Sequence, residues 1–402
     1  MFSAATLPDS FVMASNRIYL DNAATSWPKP DSVYEAVQRC MRDLGAPAGR
    51  CSYTEANEVE RLVSATRQSL SRLLGADRSS QIVFTSNGSD ALNLAIHGLL
   101  RPGDHVITSQ AEHNSILRPL AYQTATNGVA VSYVGCDRHG VVSPDEVQAA
   151  IRDRTRLIAL THASNVTGAI QPAEAVGRLA REHGIVFLLD AAQTLGHQPI
   201  DVKQLQVDLL AGSGHKGLLG PLGTGLLYVG SGTEVELTSL KQGGTGSDSH
   251  SELQPESLPE KYEVGNLNVP GIIGWGAALE FLSQRGLQEI RSQLCELTAR
   301  LLSGLKDIPG IQIFGPAGSE HRVPVVSLSL PGIDPQEAAL MLDSAYRIQV
   351  RSGLHCAPRM HRCLETDSRG GTLRLSLGVM NTSRQVDVTV KALTEIGASA
   401  AS

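Results

Sequence analysis

The sequence predicts an α/β protein with a large domain on a mostly parallel sheet and a smaller α+β domain. Two patterns carry that reading. Between about Arg78 and Val229, seven short apolar runs recur: "QIVFTS", "DHVITS", "VAVSYVG", "TRLIALTH", "IVFLLD", "VDLLAGSG" and "TGLLYVG". They are rich in Val, Ile and Leu with little polar alternation, as expected of strands buried on both faces. Between them, segments such as "SDALNLAIHGLL" and "PAEAVGRLAREHG" space their apolar residues as helices do. Strands alternating with helices predict a mostly parallel sheet.

The second pattern begins after Val229. The stretch "KQGGTGSDSHSELQPESLPEKYEVGNLNVPG" is polar and rich in Gly, Ser and Pro. A structureless insertion of that size usually has a function or covers something. A helix follows, "IIGWGAALEFLSQ", then a second helical run to about Leu305. The remainder mixes strands ("VPVVSLSL", "YRIQVRSG", "GTLRLSLG") with helices ("PQEAALMLDSAY", "QVDVTVKALTEI"), a smaller α+β unit. The expected division is a large domain over residues 31–275 and a small one from residues 1–30 and 276–402.

Bulk properties exclude several classes. With 402 residues the chain can bury a large core. A net charge of −6 with no long basic run argues against nucleic-acid binding. No apolar run is long enough to span a bilayer. The start, "MFSAATLPDSFVMASN", lacks the basic and apolar regions of a signal peptide. The six cysteines are too sparse for a disulfide framework and none form C-x-x-C, so a reducing, cytoplasmic setting is expected.

Ligands of a parallel sheet bind beyond the carboxyl ends of its strands. Asn87, Gly88 and Ser89 sit at one such strand-to-helix turn, where free N–H groups and the helix dipole suit an anion. His113 and Asn165 follow other strands; taken alone, each suits a cap or a turn. Asp190 ends the strongly apolar "IVFLLD", where a carboxylate is costly unless paired. Gln193 lies one helical turn beyond. Then come Gly212, Ser213, Gly214, His215 and Lys216: two polar donors just before a lysine. A phosphate on Ser213 and His215 would bring its carrier close to Lys216, whose amine needs a lowered pKa to act as a nucleophile. An anion site, a strand-end carboxylate and a reactive lysine are what pyridoxal phosphate requires. No Walker loop competes, since G-x-x-x-x-G-K-[ST] is absent.

On these motifs the sequence resembles the class V aminotransferases, and within them the cysteine desulfurases of the SufS/CsdA-like group. The resemblance runs from "YLDNAATSWPKP" to "LRLSLGVMNT" and includes "EHNSILRPL", "THASNVTG", "LDAAQTLGH", "GSGHKGLLGPLGTG" and "RSGLHCAP". It implies a pyridoxal-phosphate-dependent transferase of fold type I, with a seven-stranded, mostly parallel sheet in its large domain.

The resemblance also implies residue roles. Lys216 would be the Schiff-base lysine, Asp190 the partner of the pyridine nitrogen, and His113 the ring-stacking residue that shuttles protons. Gln193 and Asn165 would contact the phenolic-oxygen side, and Gly88, Ser89, Ser213 and His215 the phosphate. Arg374 would grip the substrate carboxylate, a task suited to its planar fork. Cys356 would take sulfur from L-cysteine as a persulfide, leaving L-alanine, and pass it to an acceptor protein, as in iron–sulfur cluster assembly.

Other enzymes of the same fold remain alternatives at this point: a selenocysteine lyase acting on L-selenocysteine, another C–S lyase, or an aminotransferase. His355, Cys356, His361 and Cys363 cluster in sequence, but their spacing fits no common zinc pattern, and no metal is expected. Asn266 stands where relatives carry a threonine that reaches a phosphate across a dimer interface. A homodimer is expected, and Cys51 has no assigned role.

Overall fold

The computed structural model describes residues 17–49, 51–247 and 250–400. Residues 1–16, which are the whole start segment and about half of the small domain's expected N-terminal part, lie outside the described residues, as does Arg50.

A short strand, β1 (Ile18–Tyr19), leads into helices α1 (Asp31–Arg39) and α2 (Thr54–Leu74). Strand and helix then alternate through β2 (Ile82–Thr85), α3 (Gly88–Leu99), β3 (His105–Ser109), α4 (Asn114–Asn127), β4 (Ala130–Val134) and α5 (Pro144–Ala149). The alternation continues with β5 (Thr155–Thr161), α6 (Ala173–Glu182), β6 (Val186–Asp190), β7 (Leu209–Ser213) and β8 (Gly225–Val229). All seven apolar runs form strands of one sheet, ordered β2-β8-β7-β6-β5-β3-β4. Only β8 runs antiparallel to its neighbours. The strands β3 and β6 to β8 are buried along their whole length, which explains their unbroken apolar sequence.

The remaining elements are α7 (Val269–Arg285), α8 (Leu287–Lys306), β9 (Gln312–Phe314), β10 (Val325–Ser329) and α9 (Pro335–Tyr346). After them come β11 (Ile348–Gln349), β12 (Arg351–Gly353), α10 (Pro358–Cys363), β13 (Thr372–Ser376) and α11 (Ser383–Ala400). The strands β12-β13-β10-β9 form a second, antiparallel sheet, while β1 pairs with β11.

One apolar cluster spans the large sheet, α2 and α7, and another gathers Leu20, the last turns of α8, the second sheet and α11. The expected boundary at 275/276 falls inside α7. Helix α8 contributes Ile290 and Leu294 to the first cluster and Leu297 to Leu305 to the second. We propose that the two units meet along α8.

The polar insertion is better anchored than its composition suggests. Glu263 forms a bidentate pair with Arg67, at 2.6 and 2.8 Å, and accepts the Phe84 N–H. Tyr262 is buried and donates to the Leu237 carbonyl. Asn268 caps α7 and also donates to Gly223. Removing one partner of a largely buried ion pair strands the other. Glu263→Ala is therefore expected to cost about 3–5 kcal/mol in urea unfolding, and a loss under about 1 kcal/mol would show the pair to be worth no more than a surface one.

Candidate functional site

The carboxyl ends of β2, β5, β6 and β7 bring the singled-out residues together. Helix α3 starts at Gly88 after Asn87, whose side chain accepts the Asp90 N–H at 2.9 Å. Gly88 lies against Ser213 at the end of β7: a Cβ on Gly88 would stand 2.6 Å from Ser213 Oγ. This position must be glycine for the helix start and the strand end to form one concave surface. His215 follows, with Nδ1 buried and unpartnered. Its carbonyl is held by Ser26 N and Oγ, Thr25 Oγ1 and Lys29 Nζ, at 3.0 to 3.4 Å. The glycines after Lys216 admit the buried Trp275, since a Cβ on Gly220 would lie 2.7 Å from its ring. The loop carrying Lys216 is thereby clamped from both sides.

The Lys216 amine makes no hydrogen bond or ion pair among the described residues, while its carbonyl accepts the Leu219 N–H at 2.9 Å. Burial pulls its amine down to about 8, against the opposing pull of Asp190. Asp190 is buried, accepts the Ala192 N–H at 3.0 Å, and is pushed up by burial. His113 is itself the N-cap of α4: Nδ1 accepts the Ser115 N–H at 3.1 Å, so the ring proton sits on Nε2. Burial first, then Lys216 and nearby arginines, lower its pKa to about 4 and keep it neutral. Ser89 and Ser115 share a hydrogen bond of 2.6 Å.

Two expected contacts turn out to be partly committed within the protein. Gln193 Nε2 donates to the Ala23 carbonyl at 3.1 Å. Asn165 Nδ2 donates to the His355 carbonyl at 2.6 Å. Arg374 is 1% exposed; its Nη2 pairs with Asp21 at 2.6 Å and its Nη1 donates to the Asn165 carbonyl at 3.1 Å, while Nε is unpartnered. Its fork is oriented by the protein before any substrate arrives.

Cys356 joins the same place from the loop between β12 and α10. It is half-buried and lines a cleft of about 520 Å³ with Ser89, His113, Ser115, Arg118 and Tyr122. His355 and Cys356 both adopt left-handed backbone, with φ of 47° and 61°. For non-glycine residues that costs roughly 1–2 kcal/mol each. Asn165, and the Asn114 N–H that donates to the Cys356 carbonyl at 2.7 Å, hold the turn. Asn266 is exposed on the far side of Ser89, lining a neighbouring cavity of about 570 Å³. Among the described residues no group of three His, Cys, Asp or Glu side chains could hold a metal ion.

Four side chains escaped the sequence reading. Arg351 Nη2 lies 3.5 Å from Cys356 Sγ, and Arg351 faces Arg374 across the β12–β13 ladder. Its signal was present, since it opens the "RSGLHCAP" motif. Asp21 and Lys29 reach the site only through the fold. Glu112 is fully buried beside His113; it accepts the Ser109 hydroxyl and, at 2.9 Å, the Thr161 N–H.

The geometry can be set beside known proteins. The model of the aminotransferase class-V family matches residues 18–388. A probable cysteine desulfurase of Methanothermobacter thermautotrophicus is 35% identical over 384 residues, covering 95% of each chain. The chain belongs to the cysteine desulfurase family of class V aminotransferases. Solved structures agree. The apo cysteine desulfurase of Thermococcus onnurineus superposes with a TM-score of 0.91 at 30% identity, covering 99% of this chain and 100% of that one. The Escherichia coli cysteine desulfurase CsdA, in an S-sulfonic acid form, gives 0.86 at 29% identity, covering 98% and 99%. The fold is thus the type I fold of these enzymes. Among the described residues no helix is long and apolar enough to cross a membrane.

Burial, with Asp190 adding to it, pushes Glu112 up to about 8, so near neutrality the folded chain holds a proton that the unfolded chain has lost. Stability from this group is present below the ordinary carboxyl pKa and is lost as pH rises toward about 8. Glu112→Gln is expected to flatten that decline in denaturant unfolding between pH about 5 and about 8; an unchanged slope would show that Glu112 is ionised in the folded state.

Proposed function

We propose that this protein is a pyridoxal-phosphate-dependent cysteine desulfurase that converts L-cysteine to L-alanine and holds the sulfur as a persulfide on Cys356. The observation that carries the reading is the single cleft shared by Cys356 and His113, beside Lys216, Asp190 and the anion cradle of Gly88, Ser89, Ser213 and His215. The cradle fits the cofactor: His215 Nδ1 lacks a partner, and the missing Cβ of Gly88 leaves Ser213 open. Bound there, pyridoxal phosphate supplies an aldehyde for a lysine amine and an electron sink for charge at the substrate's α-carbon.

The chain's own groups do the rest. Lys216 Nζ, with its pKa near 8, is available as a neutral amine and, once released, as the base for the α-proton. Asp190 would hold the proton of the ring nitrogen. Neutral His113 would lie against the ring face and offer Nε2–H as a proton donor. Arg374 is already oriented by Asp21 and leaves Nε for the substrate carboxylate; Arg351 stands opposite. Cys356 Sγ forms the new S–S bond while the substrate's Cβ–S bond breaks with its electron pair on Cβ, which takes up a proton to give alanine. The persulfide then awaits an acceptor, either a protein or a small thiol. We place the enzyme in the cytoplasm as a homodimer, with Asn266 reaching toward the partner's phosphate site in place of a threonine.

Loaded with cofactor, the wild type should sediment as a dimer, and a monomer would remove the role given to Asn266. Lys216→Ala should lose the visible absorbance of the lysine-bound cofactor. Cys356→Ala should keep that absorbance and lose sulfur transfer. Full sulfide release by Cys356→Ala would mean a lyase.

A further inference from the structure

The cleft beside Cys356 is larger than L-cysteine needs. Its volume of about 520 Å³ falls in the range of about 300–1,000 Å³ that holds drug-sized ligands. The cations assigned to L-cysteine, Lys216, Arg374 and Arg351, do not line it. Arg118, Tyr122 and His97 do, together with Cys356. Asn266, the residue directed toward the partner subunit, belongs to the neighbouring cavity and not to this one.

Arg118 is exposed on α4, and its guanidinium makes no hydrogen bond or ion pair among the described residues. Its charge still reaches the site: after burial, Lys216, Arg351 and Arg374, it is the remaining group that lowers the His113 pKa. A surface arginine alone would simply be solvated, but the wall beside this one is built. Tyr122 follows four residues later, on the same face of α4, and is 60% exposed. His97 of α3 meets the Tyr122 ring edge-on, with centroids 5.5 Å apart at 84°. His97 Nδ1 accepts from Gln123 Nε2 at 2.8 Å, and the buried Gln123 accepts from Asn127 Nδ2 at 2.6 Å. The His97 proton therefore sits on Nε2, which has no partner among the described residues.

L-Cysteine carries one carboxylate, which Arg374 and Arg351 already serve. A free guanidinium fork on the open side of the nucleophile suits the carboxylate of a second molecule. We propose that this cleft binds the sulfur acceptor, and that the acceptor is a low-molecular-weight thiol bearing a carboxylate held by Arg118. The inference rests on the reading of Cys356 as the persulfide carrier. The acceptor thiolate attacks the outer sulfur of the persulfide, its thiol proton having passed to solvent. The S–S bond to Cys356 Sγ breaks with its electron pair on Sγ, and a new S–S bond joins the outer sulfur to the acceptor. Nothing is oxidised or reduced overall. Arg351 Nη2 donates to Sγ at 3.5 Å and steadies the departing thiolate.

The test uses the cofactor-loaded enzyme as wild type, Arg118→Ala and Arg118→Lys. One equivalent of L-cysteine without acceptor first charges Cys356, and mass spectrometry reads the persulfide. Discharge is then followed with 3-mercaptopropionate and with the neutral 2-mercaptoethanol, compared at equal thiolate concentration. Discharge starts from charged enzyme, so any effect of the substitution on charging does not enter. The wild type should favour the carboxylate thiol about tenfold or more in kcat/KM, and about 0.5 M salt should shrink that preference. Arg118→Ala should bring the two thiols within about twofold of each other, and Arg118→Lys should keep part of the preference.

Equal wild-type discharge to both thiols overturns the proposal. So does a preference that survives Arg118→Ala, or a loss in that variant that strikes both thiols alike. Discharge to neither small thiol also overturns it, and makes the acceptor a protein. If Arg118→Ala does not fold, the wild type decides: a carboxylate preference that salt removes supports the proposal, and one indifferent to salt overturns it. Failure of L-cysteine to charge Cys356 would instead defeat the reading of the nucleophile, before any acceptor is added.

Discussion

The buried guanidinium of Arg374 is the constraint on which the rest of the site depends. It sits on β13 of the second sheet, pairs with Asp21 from the N-terminal segment, and donates to the Asn165 carbonyl after β5. A buried charge is tolerable only with such partners, and removing one strands the other. The residues after Asp21 extend the tie. Asn22 and Ala23 bond to Ser376, the Ala23 carbonyl accepts from Gln193, and Thr25 and Ser26 hold His215. One short segment therefore fixes the lysine loop of the first sheet against β13 of the second, the strand that pairs with β12 just before Cys356. The proposed sulfur transfer needs that registration, since Lys216 follows β7 of the first sheet and Cys356 follows β12 of the second.

Burial then sets the protonation states. Lys216 and His113 are shifted down and Asp190 and Glu112 up, in each case with desolvation as the leading cause. A depressed lysine is a competent nucleophile near neutral pH, and a neutral histidine is an available proton donor. The same exclusion of water makes each remaining hydrogen bond in the cleft count for more.

Much of this was legible in the sequence. The seven apolar runs became the seven strands of the sheet because strands covered on both faces need no polar alternation. Asp190 and Lys216 stood out because charged residues ending or following such runs demand a reason. Helices α1 and α2 were not read, although Val59, Val63, Leu70 and Leu74 carry a helical stripe. The polar insertion looked structureless because its anchor, Glu263 on Arg67, spans 196 residues. Asp21 and Arg374 lie 353 residues apart, and His361 meets His355 only once α10 has folded back. Pairings made by tertiary packing leave no periodic trace, so Asp21 and Glu112 could be found only in the structure.

The most direct measurement of the central claim is a single turnover. Cofactor-loaded protein would receive one equivalent of L-cysteine without reductant, and alanine would be quantified while the Cys356 peptide is weighed by mass spectrometry. The account predicts alanine equal to active sites and one added sulfur atom on Cys356. Pyruvate with ammonia, or alanine with free sulfide and an unmodified Cys356, would contradict it.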